Sequence, residues 1–307
     1  MVLRGFLLLF LVAVIPAAAA PPALLGTSEP LRLVDDAGRS VTIPALPRRI
    51  ISLAPSVTEL LFALGAGDQV VAITQACNYP PEALSRVRLD FSGSAVEQMV
   101  VLQPDLVIGM VGMVKPQTIE TLERLHHPLL LMEARGLGDV YRHIGWLGRV
   151  TGRLVDADRL ITHLEAQREE LVARLRGAEP VPVFYLINAA PLITVGSKSF
   201  IHHLIEAAGG RNIAGETVGS AYPQFSLEEL IVQDPAVILI TGNRFGPAGP
   251  AAPHMVTQWP TLRAVRQQRL FMVDADLVDR PGPRIYDAAW RLAESLHPDR
   301  FHTEARP

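Results

Sequence analysis

The side chains best suited to metal or nucleophile chemistry are few in this chain and poorly spaced for it. Two histidine pairs, His126-His127 and His202-His203, are adjacent in sequence. Neighbours on a helix point about 100° apart, so one metal does not easily take both rings. Cys77 is the only cysteine, which excludes an internal disulfide and every multi-cysteine metal centre and leaves it reading as a buried, inert thiol. Carboxylates are plentiful, but nothing marks a pair for acid–base hydrolysis. The glycines at Gly65 and Gly67 follow a helix instead of opening one, and the third glycine of a dinucleotide loop is missing. No phosphate-binding P-loop and no G-x-S-x-G nucleophile elbow occurs. No catalytic residue, metal ligand or resident cofactor is assigned, and the chain does not read as an enzyme.

Two glutamates stand out by repetition. Residues 97–108, EQMVVLQPDLVI, and 228–239, EELIVQDPAVIL, each begin with a carboxylate, run apolar at helical spacing, break at Pro104 or Pro235 and resume as a buried strand. A second echo joins LLFALGAG at 60–67 to LIEAAGG at 204–210, both apolar helix ends closed by glycine. The order helix-Gly then Glu-helix-Pro-strand occurs once in each half, which predicts two similar lobes. Capping competes for these glutamates: Glu97 stands three after Ser94 and completes a capping box there, whereas Glu229 takes that place after Ser226 and leaves Glu228 free to point outward.

The elements around them follow the same logic. Residues 31–43 read as a hairpin turning at Asp36-Ala37-Gly38. Strands are predicted at 49–53, 70–74, 106–110 and 128–132, and after a long helical stretch at 183–187, 237–241 and 270–273, with helices between them, so parallel α/β sheets result. Ser56 and Glu59 fit a capping box at the first helix. The helical stretch from 139 to about 176 breaks near Thr151-Gly152, and its second part carries an apolar stripe through Leu160, Ile161, Leu164, Leu171 and Leu175, as a strut between two halves would.

With 307 residues, 49% hydrophobic and 19% charged, the chain is globular, and a net charge of −3 provides no general attraction to nucleic acid or an anionic membrane. Arg4, an apolar run from Phe6 to Ile15 and small residues at Ala17 to Ala20 read as a secretory signal peptide over 1–20. No later stretch is long and apolar enough to span a bilayer. A soluble protein in the periplasm is expected, without a lipid-anchor cysteine, because Cys77 lies far beyond the signal.

At residues 49–67, RIISLAPSVTELLFALGAG, the sequence resembles the substrate-binding proteins of ABC importers for vitamin B12, haem and iron-siderophores, nearest to the cobalamin branch. The likeness continues through NYPPEA at 78–83, LQPDLVIG at 102–109, residues 191–215, YPQFSLEEL at 222–230 and DRPGPRI at 279–285. It implies two Rossmann-like lobes with parallel-sheet cores, 28–150 and 179–300, joined by one long backbone helix over 151–178, the class III periplasmic binding protein arrangement. It implies a small-molecule ligand in the interlobe cleft and, as partner, a permease dimer with its ATPase, met by a monomer through Glu97 and Glu228. By the same resemblance Pro55 and Ser56 face Asp279 and Arg280 across the cleft, with Phe91, Met110 and Tyr222 lining it.

The implied cargo is a corrinoid of the vitamin B12 type, with a ferric siderophore or haem as alternatives, and an exported enzyme or sensor domain on the same lobes is the reading from a different class. Met110, Ile193 and Leu277 stand where bulkier rings are expected, and aromatic content is 6%, which makes the cleft apolar more than aromatic. Tyr79, Tyr222 and His254 are the candidates for an axial haem ligand, and Arg280 for the anionic groups of a siderophore. A surface ion pair of Arg280 with Asp279 or Asp287 is the bland reading of that arginine.

Overall fold

The computed structural model describes residues 30–90, 95–215, 219–241 and 259–301. Strands β1 (Leu31–Val34) and β2 (Ser40–Ile43) pair antiparallel as the expected hairpin, with Gly38 supplying the positive φ of the turn and Val41 and Ile43 pointing into the core. Next come β3 (Ile50–Ser52), α1 (Pro55–Ala63), β4 (Val70–Thr74), β5 (Val87–Leu89), α2 (Ala95–Val101), β6 (Leu106–Met110), α3 (Pro116–Arg124) and β7 (Leu129–Met132). Their strands form one parallel sheet in the order β5-β4-β3-β6-β7.

Helix α4 (Leu137–Thr151) stops at Gly152, whose φ of 72° gives a left-handed C-cap, and α5 (Leu154–Arg174) follows at once. The stripe on α5 turns inward: Leu164 and Leu171 are buried, while Glu165, Arg168 and Glu169 face water. Beyond it lie β8 (Val181–Leu186), a small hairpin of β9 (Asn188–Ala189) and β10 (Leu192–Ile193), α6 (Phe200–Ala207), β11 (Gly210–Asn212), α7 (Leu227–Gln233), β12 (Val237–Thr241), α8 (Arg263–Arg266), β13 (Leu270–Val273), α9 (Ala275–Val278) and α10 (Ile285–Leu296). The second parallel sheet has the order β11-β8-β12-β13.

The two sheets share one topology. In the first, β4 lies on one side of β3, and β6 then β7 lie on the other; in the second, β11 lies on one side of β8, and β12 then β13 on the other. The echoed phrases occupy equivalent places, and even their backbones agree. Gly65 and Gly209 end α1 and α6 at φ 68° and 77°, while Gln103 and Asp234, each just before the echoed proline, take φ 46° and 38°. A left-handed residue followed by proline stops the helix within one step and releases the chain into the next strand.

Both sheets are covered on both faces, as parallel sheets require. Ile50, Leu106, Leu130 and Met132 of the first sheet and Val183, Tyr185 and Leu239 of the second share one apolar core with α1, α4, α5, α6 and α10. On the far face of the second sheet Phe184 and Phe225 pack with ring centroids 5.5 Å apart. Helix α4 packs on α1, α5 and α6, and α10 on α5 and α6, so helices fill the space between the sheets.

Candidate functional site

The carboxyl ends of parallel strands are where strand-to-helix turns collect, and the two sheets turn these edges toward each other. The chain after β4 places Ala76 and Asn78, and the chain after β13 places Asp276 and Arg280, in direct contact.

On the first lobe β3 ends at Ser52 and the chain enters α1 through Leu53 and Ala54. Ser52 Oγ and Thr58 Oγ1 are 2.8 Å apart, and Thr58 Oγ1, with one proton to give, lies 3.2 Å from both Ala54 O and Cys77 Sγ. This buried web ties the start of α1 to Cys77, which is itself buried. Pro55, half-buried, is the first residue of the helix, where its missing N–H costs nothing. The Ser56–Glu59 capping box does not form. The helix starts two residues too early for it, Ala54 stands at the N-cap without a side-chain bond, and both Ser56 and Glu59 are buried. Ser56 instead faces the other lobe, where a Cβ on Gly282 would lie 3.7 Å from Ser56 O and 3.8 Å from its Cα.

On the second lobe, Asp279 accepts a 2.7 Å hydrogen bond from the buried Tyr185 hydroxyl and a 3.5 Å one from Thr241 Oγ1. Burial first, then the negative charge of Asp279, pushes the Tyr185 phenol well above its ordinary pKa, so it stays a donor. Arg280 is not the surface residue of the bland reading. Its side chain is 3% exposed and donates to Glu59, Asn78, Asp276 and Ala76 O. The carboxylates it pairs with include Glu59 and Asp276.

Met110 ends β6 half-buried against the core, and Tyr222 is 55% exposed on a segment held by Gly196 N on Ala221 O and Thr194 N on Pro223 O. Phe91 and His254 lie outside the described residues. The structure thus brings Pro55 and Ser56 to the edge carrying Asp279 and Arg280, and puts Met110 at the end of a strand on the same edge. Sequence reasoning missed Glu59, Asn78 and Arg284, which join Arg280 there. The four-residue steps between Asp276, Arg280 and Arg284 were the available signal.

Glu97 and Glu228 both lie exposed in the first turns of α2 and α7. Those helices run back against the strands they precede, so their N-termini lie at the carboxyl edges. Ser226 Oγ accepts from Glu229 N at 3.0 Å, as the spacing suggested; Ser94 is outside the described residues. One helical turn after each glutamate stands an exposed valine, Val101 at 81% and Val232 at 82%.

Among the described residues, His202, His203 and Glu206 bring three potential metal-ligand atoms together. Adjacent histidines do converge here, because Glu206 reaches both, at 3.3 Å from His202 Nε2 and 3.4 Å from His203 Nδ1. The tautomer argues against a metal. Asn212 gives its Nδ2 to Val195 O and receives Ala214 N on Oδ1, so its amide has one orientation. That orientation points Nδ2 at His202 Nδ1, 3.2 Å away, which must accept, leaving the proton on Nε2 toward Glu206. Burial lowers the His202 pKa, in keeping with a neutral ring.

Comparison with known proteins agrees with this architecture. The periplasmic binding protein family matches residues 50–277. An ABC transporter substrate-binding lipoprotein of Bacillus subtilis is 28% identical over 280 residues, 89% of this chain and 87% of the relative. A vitamin B12-binding protein of Vibrio parahaemolyticus is 29% identical over 249 residues, 80% of this chain and 88% of the relative. Among solved structures, the periplasmic vitamin B12 binding protein of Vibrio cholerae superimposes with a TM-score of 0.72 at 27% identity, over 84% of this chain and 99% of the other. The periplasmic haem-binding protein of Roseiflexus sp. RS-1 gives 0.71 at 25% identity, over 82% and 99%. Two parallel-sheet α/β units bridged by helices, with facing strand ends and a family match across both, place this chain in the periplasmic binding protein family, class III type, whose members serve ABC importers.

Proposed function

We propose that this protein captures a corrinoid between its lobes in the periplasm and delivers it to an ABC permease dimer with its ATPase, docking through Glu97 and Glu228. In this reading residues 1–20 direct export, Pro55, Ser56, Met110, Tyr222 and Asp279 line the cleft with Phe91, and Arg280 stiffens its wall. The protein performs no reaction on its cargo and keeps no cofactor of its own.

The observation that carries the choice of ligand is the state of the two arginines at the cleft edge. Arg280 and Arg284 are both paired to Glu59, and Arg280 also to Asp276, so four charges cancel within the protein. A polyanionic ferric siderophore needs cations that are not already committed. Asp279 and the exposed Tyr222 present hydrogen-bonding groups suited to the amide arms of a corrinoid, and relatives named for vitamin B12 span most of the chain. Haem is the second reading, favoured by the exposure of the Tyr222 phenol, a group able to ligate iron.

Titration with cyanocobalamin, haemin and a ferric catecholate tests this. A corrinoid at one hundred times its Kd stabilises the fold by about 2.7 kcal/mol, seen as a raised unfolding midpoint. A shift with haemin or the catecholate and none with cyanocobalamin rejects the corrinoid.

A further inference from the structure

Glu59 sits on the buried face of α1 with its side chain 1% exposed, and its charge is met from the other lobe. Arg284 grips it with two prongs, Nε to Oε2 at 2.8 Å and an Nη to Oε1 at 2.8 Å. Arg280 adds a third bond to Oε1 at 2.9 Å and continues to Asn78 Oδ1 at 2.7 Å. Asn78 returns a 2.6 Å bond to Asp276, which also receives Arg280 at 2.6 Å. The Arg284 guanidinium lies 4.1 Å above the Tyr79 ring, and Gly282 packs near Ser56. Burial pulls the Arg284 pKa down, but the hydrogen bonds and charge of Glu59 outweigh it and carry the value above that of ordinary arginine.

Such a network cannot be made within either lobe. Glu59, Asn78 and Tyr79 belong to the first, and Asp276, Arg280 and Arg284 to the second. Opening this edge would pull the Glu59 carboxylate away from both guanidinium groups at once and break three charge-assisted hydrogen bonds. We propose that Glu59 is a positioning residue: it fixes the spacing of the two lobes at this edge before any ligand arrives, so that the cleft is held at binding width. The proposal rests on the cleft being the ligand site only for its effect on affinity; the spacing itself is independent of what binds.

Spin labels on Glu120→Cys and Gln267→Cys, both exposed and one in each lobe, report that spacing by electron–electron distance measurement in the ligand-free full chain; Cys77, fully buried, stays unlabelled. The expected result is one narrow distance distribution in the parent. Glu59→Gln broadens it at unchanged circular dichroism, and Arg284→Lys, which keeps a charge but loses the two-pronged grip, gives an intermediate width. A folded Glu59→Gln protein with the parent distribution overturns the proposal. Should Glu59→Gln fail to fold, Arg284→Met, which leaves the Glu59–Arg280 pair in place, decides by the same criterion. If the competent fraction falls to about a tenth, apparent cyanocobalamin affinity falls about tenfold. A parent that ignores cyanocobalamin rejects the corrinoid, while the distance distributions still judge Glu59.

Discussion

His143 is a buried side chain whose titration reaches the stability of the whole molecule. Its Nε2 lies 2.7 Å from Asp36 Oδ2, yet burial lowers its pKa more than the bond to Asp36 raises it. A depressed histidine is neutral when folded and takes its proton first in the unfolded chain, below about pH 6.5. Its contribution is therefore full above the ordinary histidine pKa and lost as pH falls from there toward the folded value. The buried His202, also depressed chiefly by burial, acts in the same direction. Chemical denaturation between pH 7.5 and 5.5 should show stability falling with acid; a flat or rising profile would contradict the neutral assignment. A second residue test concerns Tyr185. Replacing it with Phe removes the 2.7 Å donor to Asp279 and should lower unfolding free energy by about 1.5–3 kcal/mol, measured in urea. At this scale the sequence was least legible. Glu59 was read as a cap because Ser56 stands three before it, and its real partners lie 221 and 225 positions away, beyond any local pattern.

Most of the helices and strands were legible. The strands at 70–74, 106–110, 237–241 and 270–273 were predicted to the residue, because each is a continuous, mostly apolar run ended by turn residues. Strands β5 and β11 were not anticipated. Both are edge strands of three residues, each with an arginine, and their hydrogen bonds come from a neighbour instead of from propensity. The twin helix stops invite a paired experiment. Gln103 and Asp234 both hold left-handed backbones, but Asp234 Oδ1 also accepts Arg263 N at 2.6 Å. Gln103→Gly should stabilise by up to about 1 kcal/mol through relief of that strain. Asp234→Gly should not, since it loses the bond to Arg263. Equal effects in thermal unfolding would mean the backbone strain alone matters. Ser226→Ala, which removes the cap of α7, should cost about 1 kcal/mol.

For the whole molecule, the repeated phrase and the repeated topology are one fact seen at two levels. Equivalent helices carry exposed carboxylates at equivalent turns, and a partner built from two like subunits is the natural match for them. Glu97→Lys with Glu228→Lys should abolish stimulation of the transporter ATPase in reconstituted vesicles and leave cargo affinity intact. Undiminished stimulation would remove the docking role. The two-lobe plan was visible in the echoes alone, whereas the way the lobes are pinned together was not, because a contact between distant segments leaves no period in a sequence.

The Glu59 clamp also bears on how the chain comes to be folded. Every strand of the first sheet has been synthesised by Met132, so that half can organise while the remainder is still being made. Its buried carboxylate, however, waits for arginines that arrive only at positions 280 and 284. Chains cut short of those positions would lack the cations that meet this carboxylate, and truncation there should leave a half-assembled product open to proteases.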